Sequence, residues 1–306
     1  MGRRQMEQPP DASDTSHSDR PRLRVSVVVP ALNEERNLPY VLSRMPADVA
    51  EVILVDGGSV DGTVAKARQV LPSVIVVHQT RTGKGNALAC GFAVSTGDIV
   101  AMIDADGSTD PAEIPRFVDA LLEGADYAKG SRFRPGGGSH DITRLRKLGN
   151  YFLNGTVNLL FRTRFTDLCY GYNAFWREAL KVMDLPDIDL PRPSNGDRLW
   201  GDGFEIETLI NVRVASHGLR ITEVASVEAA RMHGVSNLNA FGDGRRVLRT
   251  IFAEYQRHRE LLKKEKRGIP VDPAAPTSAA PMSAAARTPV PPQRAPAPPV
   301  AADKEW

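Results

Sequence analysis

Four short runs of aliphatic residues constrain this chain most: RVSVVVP at 24–30, EVILVDG at 51–57, SVIVVHQ at 73–79 and DIVAMIDAD at 98–106. Each is nearly continuous in apolar residues rather than alternating, so both faces of each strand must be covered. Segments of helical character separate the runs. NEERNLPYVLSRM opens with Asn33 as its expected cap, and Pro39 is expected to bend or break it. DGTVAKARQVL follows a Gly-Gly-Ser turn, and GNALACGFAVSTG follows RTGK. The order β-α-β-α-β-α-β implies right-handed crossovers and an open, doubly wound α/β sheet. Ligands of such sheets bind beyond the carboxyl ends of the strands. Asp56, the stretch from Arg81 to Lys84, and Asp104 with Asp106 should emerge there.

Outside residues 23–267 this patterning fails. Residues 1–22 are polar and aperiodic, and 268–306 are dominated by Pro and Ala, so both are expected to be disordered tails. The N-terminus has no apolar core of the secretory kind, and no run of eighteen apolar residues suggests a spanning helix. A net charge of +2 gives no reason to expect nucleic acid as a partner. Cys90 and Cys169 are too few for a disulfide framework and read as small buried hydrophobes, which suits a reducing cytoplasm.

The stretch VAMIDADGSTDP asks why a buried strand ends on two carboxylates. Residues i and i+2 of an extended segment project to one side, so Asp104 and Asp106 can converge across Ala105. Two carboxylates that close repel unless a cation sits between them. Hard oxygen donors in small number suit Mg²⁺ or Mn²⁺, with water and phosphate oxygens completing the shell. Asp110, before Pro111, reads instead as a helix cap. In TRTGKGNA, Arg81 and Lys84 lie on a glycine-flanked loop before a helix, a setting that suits a diphosphate. Leu88 stands where a dinucleotide fingerprint needs glycine, and the spacing of a P-loop is absent.

VVVPALNEERNL, VILVDGGSVDGT, GKGNAL, STGDIVAMIDADGSTDP and GSRF, taken in order, resemble the family 2 glycosyltransferases over about residues 25–255. TDLCYGYNAFWREAL and VEAARMHGVSNL look like the second half of the dolichol-phosphate mannosyltransferases and the bacterial polyprenyl-phosphate glycosyltransferases. The resemblance implies a GT-A fold, a Rossmann-like open and mostly parallel sheet with flanking helices. It also implies an inverting, metal-dependent transfer of a hexose from a UDP- or GDP-sugar. The folded part would comprise a nucleotide-sugar half (23–135), an acceptor half (136–238) and a basic amphipathic helix (239–267).

Carried over residue by residue, the resemblance places Pro30, Ala31, Asn33, Glu34 and Asp56 around the nucleoside. Arg81, Lys84, Asp104 and Ala105 would meet the donor diphosphate, with Asp104, Asp106 and Ser108 at the metal. Gly57 stands where family members often have a second aspartate. Arg132 in GSRF matches an arginine near the sugar phosphate or acceptor. Asp167, Tyr172 and Asn173 fall on the acceptor side. Asp202 lies where relatives that use a hydroxyl acceptor place their base, because a hydroxyl needs deprotonation. A phosphate acceptor is already an anion and needs only cationic positioning. Arg231 matches the arginine of a DR-x-x-G-x-S-K signature whose lysine is Asn237 here, and His233 is a candidate donor to phosphate.

Three readings follow from these residues. The first is transfer to polyprenyl phosphate for cell-envelope glycan synthesis, on the cytoplasmic side of the membrane. The second is transfer to a hydroxyl of a saccharide or small metabolite, with Asp202 as base. The third, from another class, is a sugar-nucleotidyltransferase or a silent nucleotide-sugar binder. PALNEERNL lacks the Gly- and Arg-rich loop expected of a nucleotidyltransferase, and intact Asp104 and Asp106 argue against a silent binder. DGRRVLRTIFAEYQRHRELLKKEKRG carries Val247, Leu248, Ile251, Phe252 and Tyr255 at helical spacing among many cations. Such a helix suits either an anionic membrane surface or packing on the catalytic body.

Overall fold

The structure, a computed structural model, describes residues 23–194, 198–234 and 240–267. Both terminal tails and Asn237 lie outside the described residues. The strands are β1 (Val25–Ala31), β2 (Glu51–Asp56), β3 (Ile75–His78), β4 (Ile99–Met102), β5 (Tyr127–Ser131), β6 (Gly138–Ser139), β7 (Asn173–Trp176), β8 (Ile221–Ala225) and β9 (Val227–Glu228). The helices are α1 (Leu38–Ser43), α2 (Thr63–Val70), α3 (Lys84–Val94), α4 (Ile114–Leu122), α5 (Arg144–Phe161), α6 (Leu180–Met183), α7 (Ile206–Ser216) and α8 (Ala240–Lys266).

Seven strands form one sheet in the order β3-β2-β1-β4-β7-β5-β8, and β6 pairs with β9 beside it. Strands β1 to β4 run parallel, as the four apolar runs require, and β7 lies antiparallel between β4 and β5. The expected open, mostly parallel sheet is therefore present. Its continuous apolar strands feed two cores. Val27, Val29 and Leu54 pack with Leu38, Val41 and Phe117 on one face. Val28, Ile53 and Val55 pack with Leu88, Phe92, Phe175 and Ile206 on the other. A third cluster joins Leu153 and Val157 of α5 to Val212 of α7 and to Val247 and Ile251 of α8.

Three local features differ from expectation, each for a physical reason. Asn33 does not cap α1. It sits in the left-handed region at φ 59° and accepts a hydrogen bond from the Val60 amide at 2.9 Å, pinning the β1 turn to the β2 turn. Asn37 takes the cap position and the helix starts only at Leu38, so the stretch from Asn33 to Asn37 is not helical and Pro39 falls in the first turn, where its missing N–H is not needed. Strand β4 stops at Met102, so Asp104 and Asp106 are carried by a turn that Gly107 allows at φ 78°. Asp110 behaves as expected, accepting from the Ala112 amide at 3.0 Å to cap the 3₁₀ turn Pro111–Glu113.

Helix α8 divides by face, and its last turns are exposed. Val247 and Ile251 are buried against the body, and Arg257 reaches Asp184 at 2.7 Å. Arg245, Arg249, Arg259, Lys263, Lys264 and Lys266 are exposed. Among the described residues, no helix is long and apolar enough to cross a membrane.

Candidate active site

Beyond the carboxyl ends of β1 and β4, two cations are interleaved with four carboxylates. Lys84, the first residue of α3, places Nζ 2.6 Å from Asp104 Oδ1 and 2.7 Å from Glu207 Oε1. Arg231 lies 2.7 Å from Asp106 Oδ2 and 3.9 Å from Glu34 Oε1. Arg231 gets there because its segment clamps onto the aspartate turn. The Ala229 amide donates to the Ser108 carbonyl at 2.8 Å, and the Met232 amide to the Asp106 carbonyl at 3.4 Å. Ser108 is buried, and its amide donates to Asp106 Oδ1 at 2.9 Å, which fixes that carboxylate. Gly171 closes the floor: a Cβ there would lie 3.0 Å from Lys84 Nζ and 3.4 Å from Asp104 Oδ2.

The electrostatics follow from this packing. Burial works against the charge on Lys84, but Asp104 and Glu207 override it and raise its pKa above the ordinary lysine value. Burial raises Glu34, and the charges of Asp106 and Asp104 add to that against the Asn37 hydrogen bond and Arg231. Four carboxylates against two cations leave two negative charges, which one divalent ion would balance. Asp104 and Asp106 supply only oxygen donors, and among the described residues no three His, Cys, Asp or Glu side chains form a metal cluster. Few protein ligands, all oxygen, fit Mg²⁺ or Mn²⁺ finished by water and phosphate oxygens.

A second cluster holds Arg132, which follows β5. Its guanidinium forks onto Asp167 at 2.7 and 2.9 Å, reaches Glu228 at 3.0 Å, and lies over the Tyr170 ring at 4.9 Å. Asp167 is fully buried and also accepts from Asn150 Nδ2 of α5 at 3.1 Å. Burial would raise the Asp167 carboxyl, but the hydrogen bonds and charge of Arg132 hold it below the usual range. Asp167 is thus a support for Arg132, not an exposed acceptor contact. Only two residues separate Glu228 from Arg231, so a single segment serves both clusters.

Several residues expected at the site are occupied elsewhere. Arg81 is 1% exposed. It forks onto Asp202 at 2.7 and 3.0 Å and donates to the Asp187, Ile188 and Leu190 carbonyls. Its guanidinium ties the 187–190 segment and Asp202 to the turn after β3, and these contacts occupy its donors. Asp202, also 1% exposed, is neutralised by that pair and is not placed as a base. The N-terminal amides of α3 are likewise taken. Gly85 and Asn86 donate to the Asp202 carbonyl at 2.9 and 3.4 Å. A Cβ on Gly85 would sit 1.8 Å from the Gly201 oxygen, so this glycine admits the neighbouring loop and not a phosphate.

Tyr172 is a core residue, stacked on Phe117 at 4.3 Å with its hydroxyl donating to the Asp110 carbonyl at 2.9 Å. Asn173 is fully buried on β7 opposite Met102, and neither its side-chain Nδ2 nor its Oδ1 has a partner among the described residues. The Asp56 carboxylate accepts from the Gly58 and Ser59 amides at 3.2 Å, organising the turn where the nucleoside was expected. Pro30 and buried Ala31 close β1, and Ala105 is buried between the two aspartates. His233 contributes its carbonyl, which accepts from Asn37 Nδ2 at 3.2 Å. Burial pushes the Cys169 thiol up to about 12, and Cys90 is buried, so neither is poised as a nucleophile. From sequence, Glu207 enters only through the spacing Gly203-Phe204-Glu205-Ile206-Glu207, which is similar to a G-x-x-F-x-x-E style of lipid-phosphate enzymes. Its contact with Lys84 was not expected.

Comparison with known proteins bears on the fold and the family. The family model Glycosyl transferase family 2 matches residues 26–183. The chain is 31% identical over 230 residues to polyprenol monophosphomannose synthase of Mycolicibacterium smegmatis, covering 72% of this chain and 83% of the relative. It is 33% identical over 226 residues to undecaprenyl-phosphate mannosyltransferase of Micrococcus luteus, covering 71% and 88%. Among solved structures, glucosyl-3-phosphoglycerate synthase of Mycobacterium tuberculosis, in complex with Mn²⁺, UDP-glucose and phosphoglyceric acid, matches with a TM-score of 0.58. That match has 26% identity over 76% of this chain and 80% of the other. With the family model spanning over half its length and relatives matched along most of theirs, the chain belongs to glycosyl transferase family 2 and is a glycosyltransferase.

Proposed function

We propose that this enzyme transfers a hexose, with inversion, from a nucleoside diphosphate sugar to polyprenyl phosphate. Asp104 and Asp106, with Ser108 holding the turn, would bind Mg²⁺ or Mn²⁺ against the donor diphosphate. When bound, the ion supplies neutralisation of the charge that builds on the departing nucleoside diphosphate. Lys84 and Arg231 add fixed positive charge at the same place, and Glu34 and Asn33 lie on the nucleoside side. An acceptor phosphate oxygen forms the new bond to the anomeric carbon, and the old C–O bond leaves with its electron pair on the diphosphate. No proton has to be removed.

That last point carries the reading. Asp202, the one residue expected to act as base, is buried in an ion pair with Arg81. Arg132 is paired with two carboxylates, Asp167 and Glu228, so a phosphate would have to share its guanidinium with them. Arg231, 24% exposed at its side chain, is the more open of the two arginines. The bacterial relatives named above carry polyprenol and undecaprenyl phosphate in their names, and mannose is their sugar. The structural neighbour in complex with phosphoglyceric acid favours the hydroxyl alternative, for which this chain's expected base, Asp202, is paired with Arg81.

The test is a panel of radiolabelled UDP- and GDP-hexoses offered with polyprenyl phosphate or with phosphorylated and plain hydroxyl acceptors. Label should enter the organic phase only with polyprenyl phosphate and a divalent cation, and chelator should stop it. The anomeric coupling in the product's NMR spectrum should show inversion. Label incorporated into a hydroxyl acceptor instead, or turnover undiminished in chelator, refutes the proposal.

A further inference from the structure

Helix α5 is apolar on two sides. Leu153 and Val157 face the third core cluster, where they meet Val212 and Ile251. On the opposite side Leu145, Leu148, Tyr151, Phe152 and Leu159 stand 53%, 67%, 77%, 62% and 81% exposed. At about 100° per residue these five form one stripe along the whole helix, with Gly155 completing it. Five large apolar side chains aligned outward on one helix exceed the scattered singles that ordinary surfaces carry.

The charges around the stripe say what covers it. From Ile142 to Thr166 the chain has five cations (Arg144, Arg146, Lys147, Arg162 and Arg164) and no carboxylate. Arg146 is matched by Asp141 at 3.7 Å, while Arg144, Lys147, Arg162 and Arg164 are exposed near the helix ends. A second copy of the chain packed stripe to stripe would set cations against cations in either helix direction, with no acid on α5 to pair them. Anionic lipid headgroups above an acyl layer offer both partners at once.

Resting on the lipid-phosphate acceptor proposed above, we propose that α5 is the membrane-docking element, its outer stripe seated in the interface of an anionic bilayer. The inner side of the same helix reaches the chemistry, since Asn150 donates to Asp167, which holds Arg132. Docking α5 therefore brings the Arg132 cluster to within about one helix diameter, roughly 10 Å, of the headgroups. A phosphate carried on a lipid could meet Arg132 there without leaving the membrane.

Vesicle co-sedimentation of the full chain tests this, using phosphatidylglycerol mixed with phosphatidylcholine against phosphatidylcholine alone, at about 0.15 M salt. The vesicles contain no polyprenyl phosphate, so a wrong acceptor would show in turnover and leave this measurement untouched. Binding should favour the anionic vesicles. Leu148→Glu with Phe152→Glu should weaken it about a hundredfold, and Arg144→Gln with Lys147→Gln about fivefold for each cation removed. Unchanged far-UV circular dichroism, expected because the replaced side chains point to solvent, keeps unfolding apart from lost binding. Vesicle binding undiminished in Leu148→Glu/Phe152→Glu overturns the proposal. So does failure of the native chain to prefer anionic vesicles, or a native dimer that this double substitution turns into monomers.

Discussion

Replacing Asp202 with asparagine separates a structural carboxylate from a catalytic one. Asp202 and Arg81 are each 1% exposed, and their two hydrogen bonds of 2.7 and 3.0 Å are the only charge compensation Arg81 has among the described residues. Removing one partner of such a buried pair typically destabilises by about 3–5 kcal/mol, because a charge remains in the interior. Three carbonyls still accept from Arg81 Nη1, which puts the expected loss near the lower end, at about 3 kcal/mol. For a domain of this size that corresponds to a fall in Tm of roughly 6–12 °C. Calorimetry and urea unfolding read the loss directly, and kcat should be measured well below the new transition so that only folded enzyme is counted. On the structural reading, kcat per folded molecule stays within about tenfold of the native value, whereas loss of a general base lowers it about 10²–10⁴-fold. Arg81→Met combined with Asp202→Leu should recover part of the stability, giving a clear coupling in a double-mutant cycle. An unchanged Tm with a hundredfold or greater drop in kcat would refute the pairing and restore Asp202 as the base of a hydroxyl-using enzyme.

Gly85→Ala should destabilise by at least about 3 kcal/mol in thermal unfolding, since its Cβ would meet the Gly201 oxygen at 1.8 Å and backbone cannot swing aside. A loss below about 0.5 kcal/mol would show that the 201–202 loop does not pack on α3. Lys129, buried on β5 with Nζ donating to the Gly130 and Tyr170 carbonyls, has its pKa pushed down to about 8, chiefly by burial. The unfolded chain holds that proton up to the ordinary lysine range, so its cost to the fold is full below pH 8 and fades as pH rises from 8 toward 10.5. Relative to Lys129→Met, the native chain should gain about 3 kcal/mol across that window, and a flat difference in urea unfolding would contradict the burial of the charge.

Strands β1 to β4 were legible because nothing but a two-sided sheet absorbs unbroken aliphatic runs of their kind. Strands β5, β7 and β8 were not. YAKGS carries a lysine, NAFW an asparagine, and ITEVA alternates, so none gives a hydrophobic signal of that strength. Lys129 is tolerated because its Nζ donates to the carbonyl of neighbouring Gly130 and to that of Tyr170, 41 positions away, and the second contact is a fact of tertiary structure. The site divides the same way. Asp104, Asp106, Lys84 and Arg231 were identified by their motifs and do meet. Which cation pairs with which acid depends on how α7 and the 229–232 segment pack, and no local pattern reports that. Arg81 and Asp202 show the converse case. Their residue types suit catalysis, but 121 positions apart they find each other and are spent on holding two loops together.

The two clusters then make physical sense as a division of labour across one short segment. Arg231 faces Asp106 and Glu34, the carboxylates beside the proposed metal position, and Glu228 holds the guanidinium of Arg132. Any shift of this segment moves both, so donor and acceptor positions are set against one fixed spacer and not independently. Fixing reacting groups in this way supplies rate through orientation, which suits an acceptor anion that needs no base. The same spacer is backed by α5 through Asn150 and Asp167, and α5 carries its unpaired apolar stripe outward. On the proposed reading, the donor carboxylates, Arg132 and α5 are joined by one continuous sequence of contacts. A membrane-bound phosphate would be brought to the anomeric carbon by where the protein docks, with no large movement of the chain.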